Sequence, residues 1–214
     1  MLFGLFRFII DQKINPAGSP NTFPMKLLSI LLFVLYINPL ITKELYDEQF
    51  EWRITLPDDF EEVSSEEWKR LQQTGEDAIE DTFNEEIENF TKTIFVFKKG
   101  DYNYFESNYQ PYDEAIDGNY LEASQSVNEI VYETLATQLA DAIVDSSSSV
   151  QTIAGLEFQH FHVSAELTGV VTINIQSFSR LFGDQDFTVN ITYIDEREGD
   201  IMLDAWRNST FGKQ

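Results

Sequence analysis

The chain has 214 residues, a formal net charge of −23 at pH 7 and no cysteine. Missing cysteine removes disulfides, thiol nucleophiles and cysteine metal sites together. The acidic excess excludes nucleic acid as a partner, because that affinity depends on cationic groups that release counterions, and it disfavours anionic membrane surfaces for the same reason.

Residues 1–24 carry a short apolar patch interrupted by Arg7 and then a loop-like run from Asn15 to Asn21. Met25-Lys26 follows, leading into a nearly unbroken apolar run over residues 27–37. A charged start followed by an apolar core of this length is how a secretory signal begins, and a signal normally opens its chain. Met25 therefore reads as the start, with residues 1–24 as a mis-assigned start; the alternative is a real, disordered extension. Thr42 suits the last residue removed, although Leu40 is large for its place two positions earlier. The run through Ile41 is shorter than the ~20 apolar residues that cross a bilayer comfortably. A cleaved signal over residues 25–42 is expected, and an uncleaved anchor through residues 27–41 is the alternative and the one membrane contact foreseen. Without cysteine there is no lipid-anchoring site. The expected location is periplasmic or secreted.

Residues 44–214 suffice for a single globular domain with a sizeable core. Only Asp11 of the 37 acidic residues precedes Lys43, against Arg7, Lys13 and Lys26 of the 14 basic ones, so the net charge from Lys43 onward is −25. Such a charge favours solubility and opposes self-association. With 18 Phe, 9 Tyr and 3 Trp, core material is plentiful.

Strict apolar-polar alternation over residues 50–56 predicts a half-buried strand, ended by Pro57-Asp58-Asp59. Ser64 and Glu67 form a capping box before a helix whose apolar face holds Trp68, Leu71, Ala78, Ile79 and Phe83. Residues 93–97 predict a strand covered on both sides, and Lys99-Gly100-Asp101 turns it into a second strand over 102–107. Asp117-Gly118-Asn119 precedes a helix carrying Ala123, Val127, Ile130, Val131, Leu135, Leu139 and Ile143. The serines at 146–149 read as a loop. An antiparallel meander follows over 150–153, 156–167, 170–178 and 187–194, with Thr168-Gly169 as a tight turn. Residues 195–200 read as an acidic turn before a final helix with Ile201, Met202, Ala205 and Trp206. Helices placed early and consecutive strands placed late imply an α+β fold with a mainly antiparallel sheet.

The opening Phe50-Glu51-Trp52-Arg53-Ile54-Thr55-Leu56-Pro57 resembles the first strand of Mog1/PsbP-like proteins. Thr152-Ile153-Ala154-Gly155-Leu156-Glu157-Phe158 resembles their central strand pair. The segment from Thr192-Tyr193-Ile194 through Ala205-Trp206 to Ser209-Thr210-Phe211 resembles their closing strand, helix and tail. The resemblance spans residues 50–211 and implies an α/β/α sandwich and a binding or accessory role. It brings no catalytic residue. The whole chain also resembles exported proteins of Bacteroidota.

His160 and His162 share one strand face, a spacing that can bring two imidazoles to one metal, with Glu157, Glu166 or a distant carboxylate completing the set. Ordinary strand positions are the simpler reading, with the apolar side of the strand switching near Gln159, as at a bulge or where the strand leaves its helix cover. Asp184-Gln185-Asp186 and the acidic run 195–200 offer oxygen ligands of the kind Ca²⁺ takes, but neither follows the EF-hand order, and solvated turns account for both. Tyr102, Tyr104, Phe105, Tyr109 and Tyr112 crowd one short segment, and exposed rings there would grip a sugar or a partner. A hairpin with alternate rings buried is the competing account. Asn89-Phe90-Thr91, Asn190-Ile191-Thr192 and Asn208-Ser209-Thr210 fit the glycosylation pattern, which carries little weight for a bacterial source.

No G-x-S-x-G, H-E-x-x-H or phosphate loop is present. The balance leans against an enzyme, and no cofactor is expected. The sequence points to a non-enzymatic binding or accessory domain of the envelope, with an unknown protein or small ligand as partner. A carboxylate- or metal-dependent hydrolase is the alternative.

Overall fold

Alternation around Trp52 produces strand β2 (Trp52–Pro57), whose Trp52, Ile54 and Leu56 are buried while Arg53 and Thr55 face solvent. The computed structural model describes residues 42–167, 169 and 171–212. The expected extension 1–24 and the signal up to Ile41 lie outside the described residues, as does Thr168 of the expected turn. Strand β1 (Thr42–Asp47) pairs antiparallel with β2 as a separate ribbon. It takes up Thr42 and Lys43, just ahead of the expected start of the domain.

The main sheet has seven strands in the order β3-β4-β5-β9-β8-β7-β6, each antiparallel to its neighbours. These are β3 (Glu61–Glu62), β4 (Lys92–Lys99), β5 (Asn103–Pro111), β6 (Ala142–Ile153), β7 (Leu156–Leu167), β8 (Val171–Phe182) and β9 (Gln185–Tyr193). Helix α1 (Ser65–Phe83) starts at the expected cap, where Ser64 Oγ accepts the Glu67 N–H at 3.2 Å. The Glu67 carboxylate does not return to the cap; it meets Lys98 Nζ at 2.6 Å. A short helix α2 (Glu114–Asp117) precedes α3 (Tyr120–Gln138), capped by the Asn119 side chain. Helix α4 (Glu196–Arg207) closes the domain.

Each face of the sheet carries its own core. On one face α1 and α3 bring Trp68, Ala78, Val131 and Leu135 against Phe161, Val163, Ala165, Ile173 and Ile175. On the other, β2 and α4 bring Trp52, Ile54, Met202 and Trp206 against Phe105, Phe158, Phe178 and Phe187. The result is an α/β/α arrangement about an antiparallel sheet, with the β1–β2 ribbon sharing one outer layer.

Four local expectations are corrected. The serines at 146–149 lie inside β6, in continuous register with β7 from Ser146↔Val163 to Ser149↔His160. Backbone pairing at the sheet edge overrides their weak strand preference. Helix α3 stops at Gln138, because the chain turns through an Ala142 N–H to Leu139 carbonyl bond of 2.8 Å; Ile143 joins β6 and is exposed. The acidic run 195–200 is the cap and first turn of α4: Asp195 Oδ1 accepts the N–H groups of Arg197 and Glu198 at 3.0 and 3.3 Å. Carboxylates there meet the positive end of the helix dipole. Finally, of the two reasons expected for the switch near Gln159, the bulge is ruled out, because β7 pairs through Gln159 without a register shift. Its apolar side switches because the two cores cover opposite faces over different halves of the strand.

The two-residue turn between β6 and β7 holds Ala154 at φ 52° and Gly155 at φ 83°. Left-handed backbone disfavours alanine by about 1–2 kcal/mol, and asparagine followed by glycine is the preferred pair for such a turn. Ala154→Asn should therefore stabilise the domain by about 0.5–1 kcal/mol, raising the melting midpoint by a few degrees in calorimetry. An unchanged or lower midpoint would show the turn to be unstrained.

Candidate functional site

The sheet face beneath α1 and α3 is apolar at one end and polar at the other. Strand alternation puts Glu106, Asn108 and Gln110 of β5 beside Asp186, Thr188 and Asn190 of β9, in the register Glu106↔Asn190, Asn108↔Thr188 and Gln110↔Asp186. Ser177 and Ser179 of β8 extend this polar floor by pairing with Asn190 and Thr188. The first half of α3, one side of α1 and the segment 84–91 stand above it and enclose a cleft of about 630 Å³. That volume lies within the range of small-molecule sites.

Local structure fixes the walls. Asn89 Nδ2 donates to Glu76 Oε1 at 2.6 Å and the Ile87 N–H to Glu80 Oε1 at 3.1 Å, which tie the segment after α1 back onto the helix. This presents Ile87 and Phe90 at the rim, Phe90 being 65% exposed. At the other end the Tyr120 hydroxyl donates to Asp186 Oδ1 at 2.8 Å, and Gln110 Nε2 to Asp186 Oδ2 at 3.4 Å. Burial raises the Asp186 pKa against the pull of these two bonds, and burial next to Asp186 raises that of Tyr120 as well.

The floor contains a carboxyl group shut away from water. Glu106 is 3% exposed, and its two oxygens accept from Asn108 Nδ2 at 2.7 Å and Asn190 Nδ2 at 3.3 Å. Burial raises its pKa above the ordinary carboxylate value, and the two amide donors work in the opposite direction. Asn190 is 5% exposed, lines the cleft, and its Oδ1 has no hydrogen-bond partner. A buried acceptor without a donor is costly, which makes this atom the least satisfied point of the floor. Among the described residues, no Lys, Arg or His lines the cleft.

The four tyrosines singled out in the sequence part company here. Tyr104 is buried in the core under α1 and α3, where burial first, then Glu67, Asp101 and Tyr102, push its hydroxyl up to about 12. Tyr102 packs at the margin of the same core. Tyr109 points to the opposite face, edge-on to Phe50 at 5.4 Å, with Lys92 Nζ 5.6 Å from its ring centre. Tyr112 alone of the four lines the cleft, edge-on to Tyr120 at 5.3 Å, its hydroxyl donating to the Gly118 carbonyl at 3.0 Å.

His160 and His162 do share a face, the one away from the cleft. His160 stacks on Phe178 at 4.6 Å, with Nε2 3.1 Å from Gln176 Oε1 and Nδ1 3.0 Å from both Ser149 Oγ and Gln151 Nε2. His162 Nε2 lies 3.2 Å from Asn174 Oδ1. Glu157 and Glu166 are exposed, and among the described residues no three His, Asp or Glu side chains gather as a metal-holding group. Asp184, Gln185 and Asp186 span the turn into β9, from which only the Asp186 side chain reaches the cleft.

Burial lowers the His160 pKa; the nearby His162 and Arg207 charges add to this, while the Gln176 bond opposes it. The folded state thus holds His160 neutral, whereas the unfolded chain takes up a proton near pH ~6.5. The stability so contributed is present above that value and is lost as pH falls towards the folded pKa. Urea midpoints should drop between pH 7 and pH 5, and His160→Gln should flatten that part of the curve. An equal drop in the variant would move the cause elsewhere.

The polar floor escapes a sequence reading centred on aromatics and histidines. Its one signal is polar residues at every second position of two strands: Glu106, Asn108 and Gln110, then Asp186, Thr188 and Asn190.

No family model matches the chain, and no curated protein does. Among solved structures it is similar to the solution structure of cyanobacterial PsbP (CyanoP) from Synechocystis sp. PCC 6803, with a TM-score of 0.53 and 8% sequence identity. The match covers 92% of this chain and 100% of that one. The fold is PsbP-like. At this identity the likeness carries the architecture alone, and function must be argued from the cleft.

Proposed function

We propose that the protein is exported and serves in the envelope as a non-enzymatic binding or accessory domain that takes a small ligand into the cleft between α3 and the sheet. The observation that carries this reading is the floor itself. Six polar side chains from β5 and β9, Glu106, Asn108, Gln110, Asp186, Thr188 and Asn190, occupy a sheet face that packing alone would fill with apolar groups. The apolar run at 27–37 supports export, and the PsbP-like fold agrees with an accessory role.

The hydrolase alternative finds little support in the same place. Glu106 and Asp186 are four residues apart along the β5–β9 ladder, since Gln110 and not Glu106 faces Asp186. At about 3.4 Å per residue their backbone positions lie roughly 14 Å apart, more than the ~5–9.5 Å between paired catalytic carboxyls. The cleft serines lack a histidine to act as their base.

The test is an NMR screen of the full chain against mixtures of polar metabolites, followed through backbone amide shifts. Shifts clustered at Asn108, Gln110 and Asn190, and abolished by Ser124→Trp, are expected; Ser124 lines the cleft, its hydroxyl in contact with that of Ser179 at 3.4 Å, so an indole there takes up cleft space. Shifts confined to other surfaces, or turnover of a mixture component, would overturn the reading. Fractionation of the source cells tests export separately: a processed form in the envelope or medium is expected, and an unprocessed cytosolic form would refute it.

A further inference from the structure

We propose that the cleft ligand is an organic ammonium, a primary amine on an apolar body, seated with its ammonium group at Asn190 Oδ1 beside the Glu106 carboxyl. The inference rests on the cleft being a binding site and adds the chemical class of what binds.

Asn190 sets the requirement for a donor. Its Nδ2 is committed to Glu106 Oε2 at 3.3 Å, and its buried Oδ1 has no partner although the residue lines the cleft. A ligand must bring an N–H or O–H to that atom. The charge of the surroundings then selects between donors. Glu76, Glu88, Asp117 and Asp186 line the walls, and no described Lys, Arg or His lies among them. An anion would enter against four carboxylates, and a neutral hydroxyl would gain nothing from them. An ammonium satisfies Asn190 Oδ1 and is attracted by every ionised group in view, most strongly where water is excluded.

Behind Asn190, Glu106 deepens the preference. Its carboxyl accepts only from two amides, Asn108 and Asn190, so no cation in the described structure balances it. A ligand ammonium next to Asn190 supplies that balance. The rest of the wall suits a hydrocarbon: Ile79 of α1, Val127 and Val131 of α3 and the exposed Phe90 ring border the same space. A short alkyl or aryl body packs there, and the aromatic rim adds attraction for a passing cation.

The matched probes are hexylamine, 1-hexanol and hexanoate, which share one body and differ in the head group. Titrated into the full chain at pH 7.5 and followed by amide shifts, hexylamine should bind about tenfold or more tightly than hexanol, with hexanoate weakest. Asn190→Leu and Glu106→Gln should each weaken hexylamine about tenfold, and hexanol, which loses only a neutral hydrogen bond, by less. Glu133→Gln, on the exposed side of α3, should change nothing. Should Asn190→Leu fail to fold, Glu106→Gln alone decides. Hexanol matching hexylamine at the cleft residues would overturn the ammonium assignment and leave the binding site standing. Hexylamine shifting only residues outside the cleft would overturn the assignment as well. Failure of the broad metabolite mixtures to shift any cleft residue would remove the underlying binding reading.

Discussion

Trp206→Ala should cost the domain about 3–5 kcal/mol, the range for truncating a large buried aromatic. Trp206 is fully buried at the centre of the core under α4, with ring centres of Phe158 at 5.1 Å, Phe178 at 5.6 Å and Trp52 at 6.0 Å around it. It couples three elements: α4 carries it, the ribbon presents Trp52 from above, and the sheet supplies the phenylalanines below. Removing the indole opens a cavity whose rigid aromatic walls cannot collapse, so the cost belongs at the upper end. For a domain of this size the melting midpoint should fall by roughly 10 °C or more. Trp206→Phe makes the argument sharper. The Trp206 Nε1–H is buried without a partner, so the swap removes an unsatisfied donor along with some volume. Its net cost should be nearer 1 kcal/mol because those two effects oppose each other. Calorimetry on both variants checks the contrast. A loss below about 1 kcal/mol for alanine would show that α4 does not lock this face.

Why these elements could be read from the chain, and the cleft could not, has a physical explanation. Period-two alternation identified β2 because one of its faces is buried, with Trp52, Ile54 and Leu56 inside and Arg53 and Thr55 outside. The Ser64 cap was equally legible, since it satisfies a donor within its own few residues. Features that depend on distant partners failed. The serines at 146–149 become strand only because β7 lies alongside, and nothing within the run records that neighbour. The switch of apolar side in β7 requires knowing that two separate layers cover the sheet, α1 and α3 on one face and α4 with the ribbon on the other.

The site was hidden for the same reason. Glu106 and Asn190 are 84 positions apart, and only the β5–β9 register brings them together. Within its own strand Glu106 resembles any solvent-facing acid of a very acidic chain. His160 and His162 stand out because histidine is rare here, and in the fold the Nε2 atom of each meets a strand neighbour, Gln176 and Asn174. The aromatic character of Tyr112 is visible in the sequence, while its place at the cleft depends on the Tyr120 contact.

Glu106→Gln should make the protein more stable at neutral and alkaline pH, by about 1–3 kcal/mol, as often happens when a buried charge is replaced by a neutral group of similar shape. The sign follows from linkage. Burial raises the folded pKa of Glu106, so the folded state holds its proton longer than the unfolded chain, which releases it near pH ~4.3. The stability tied to that proton is present in full below the unfolded value and is lost as pH rises through the folded one. A glutamine has no proton to lose, so the gain over the parent should be small near pH 4 and grow towards pH 8. Its amide also offers a donor that the carboxylate lacks, which a rotated Asn190 side chain can accept at its unpartnered Oδ1. Urea unfolding at pH 4, 6 and 8 measures the curve. Destabilisation at pH 8 would instead make Glu106 an anchor of the sheet, held by its two amides. The stabilised variant should bind hexylamine more weakly, because the same substitution removes the negative charge and satisfies the free acceptor. A buried acid that lowers stability in the pH range where it ionises, beside an acceptor left open, is placed where its cost is recovered when a cation enters the cleft.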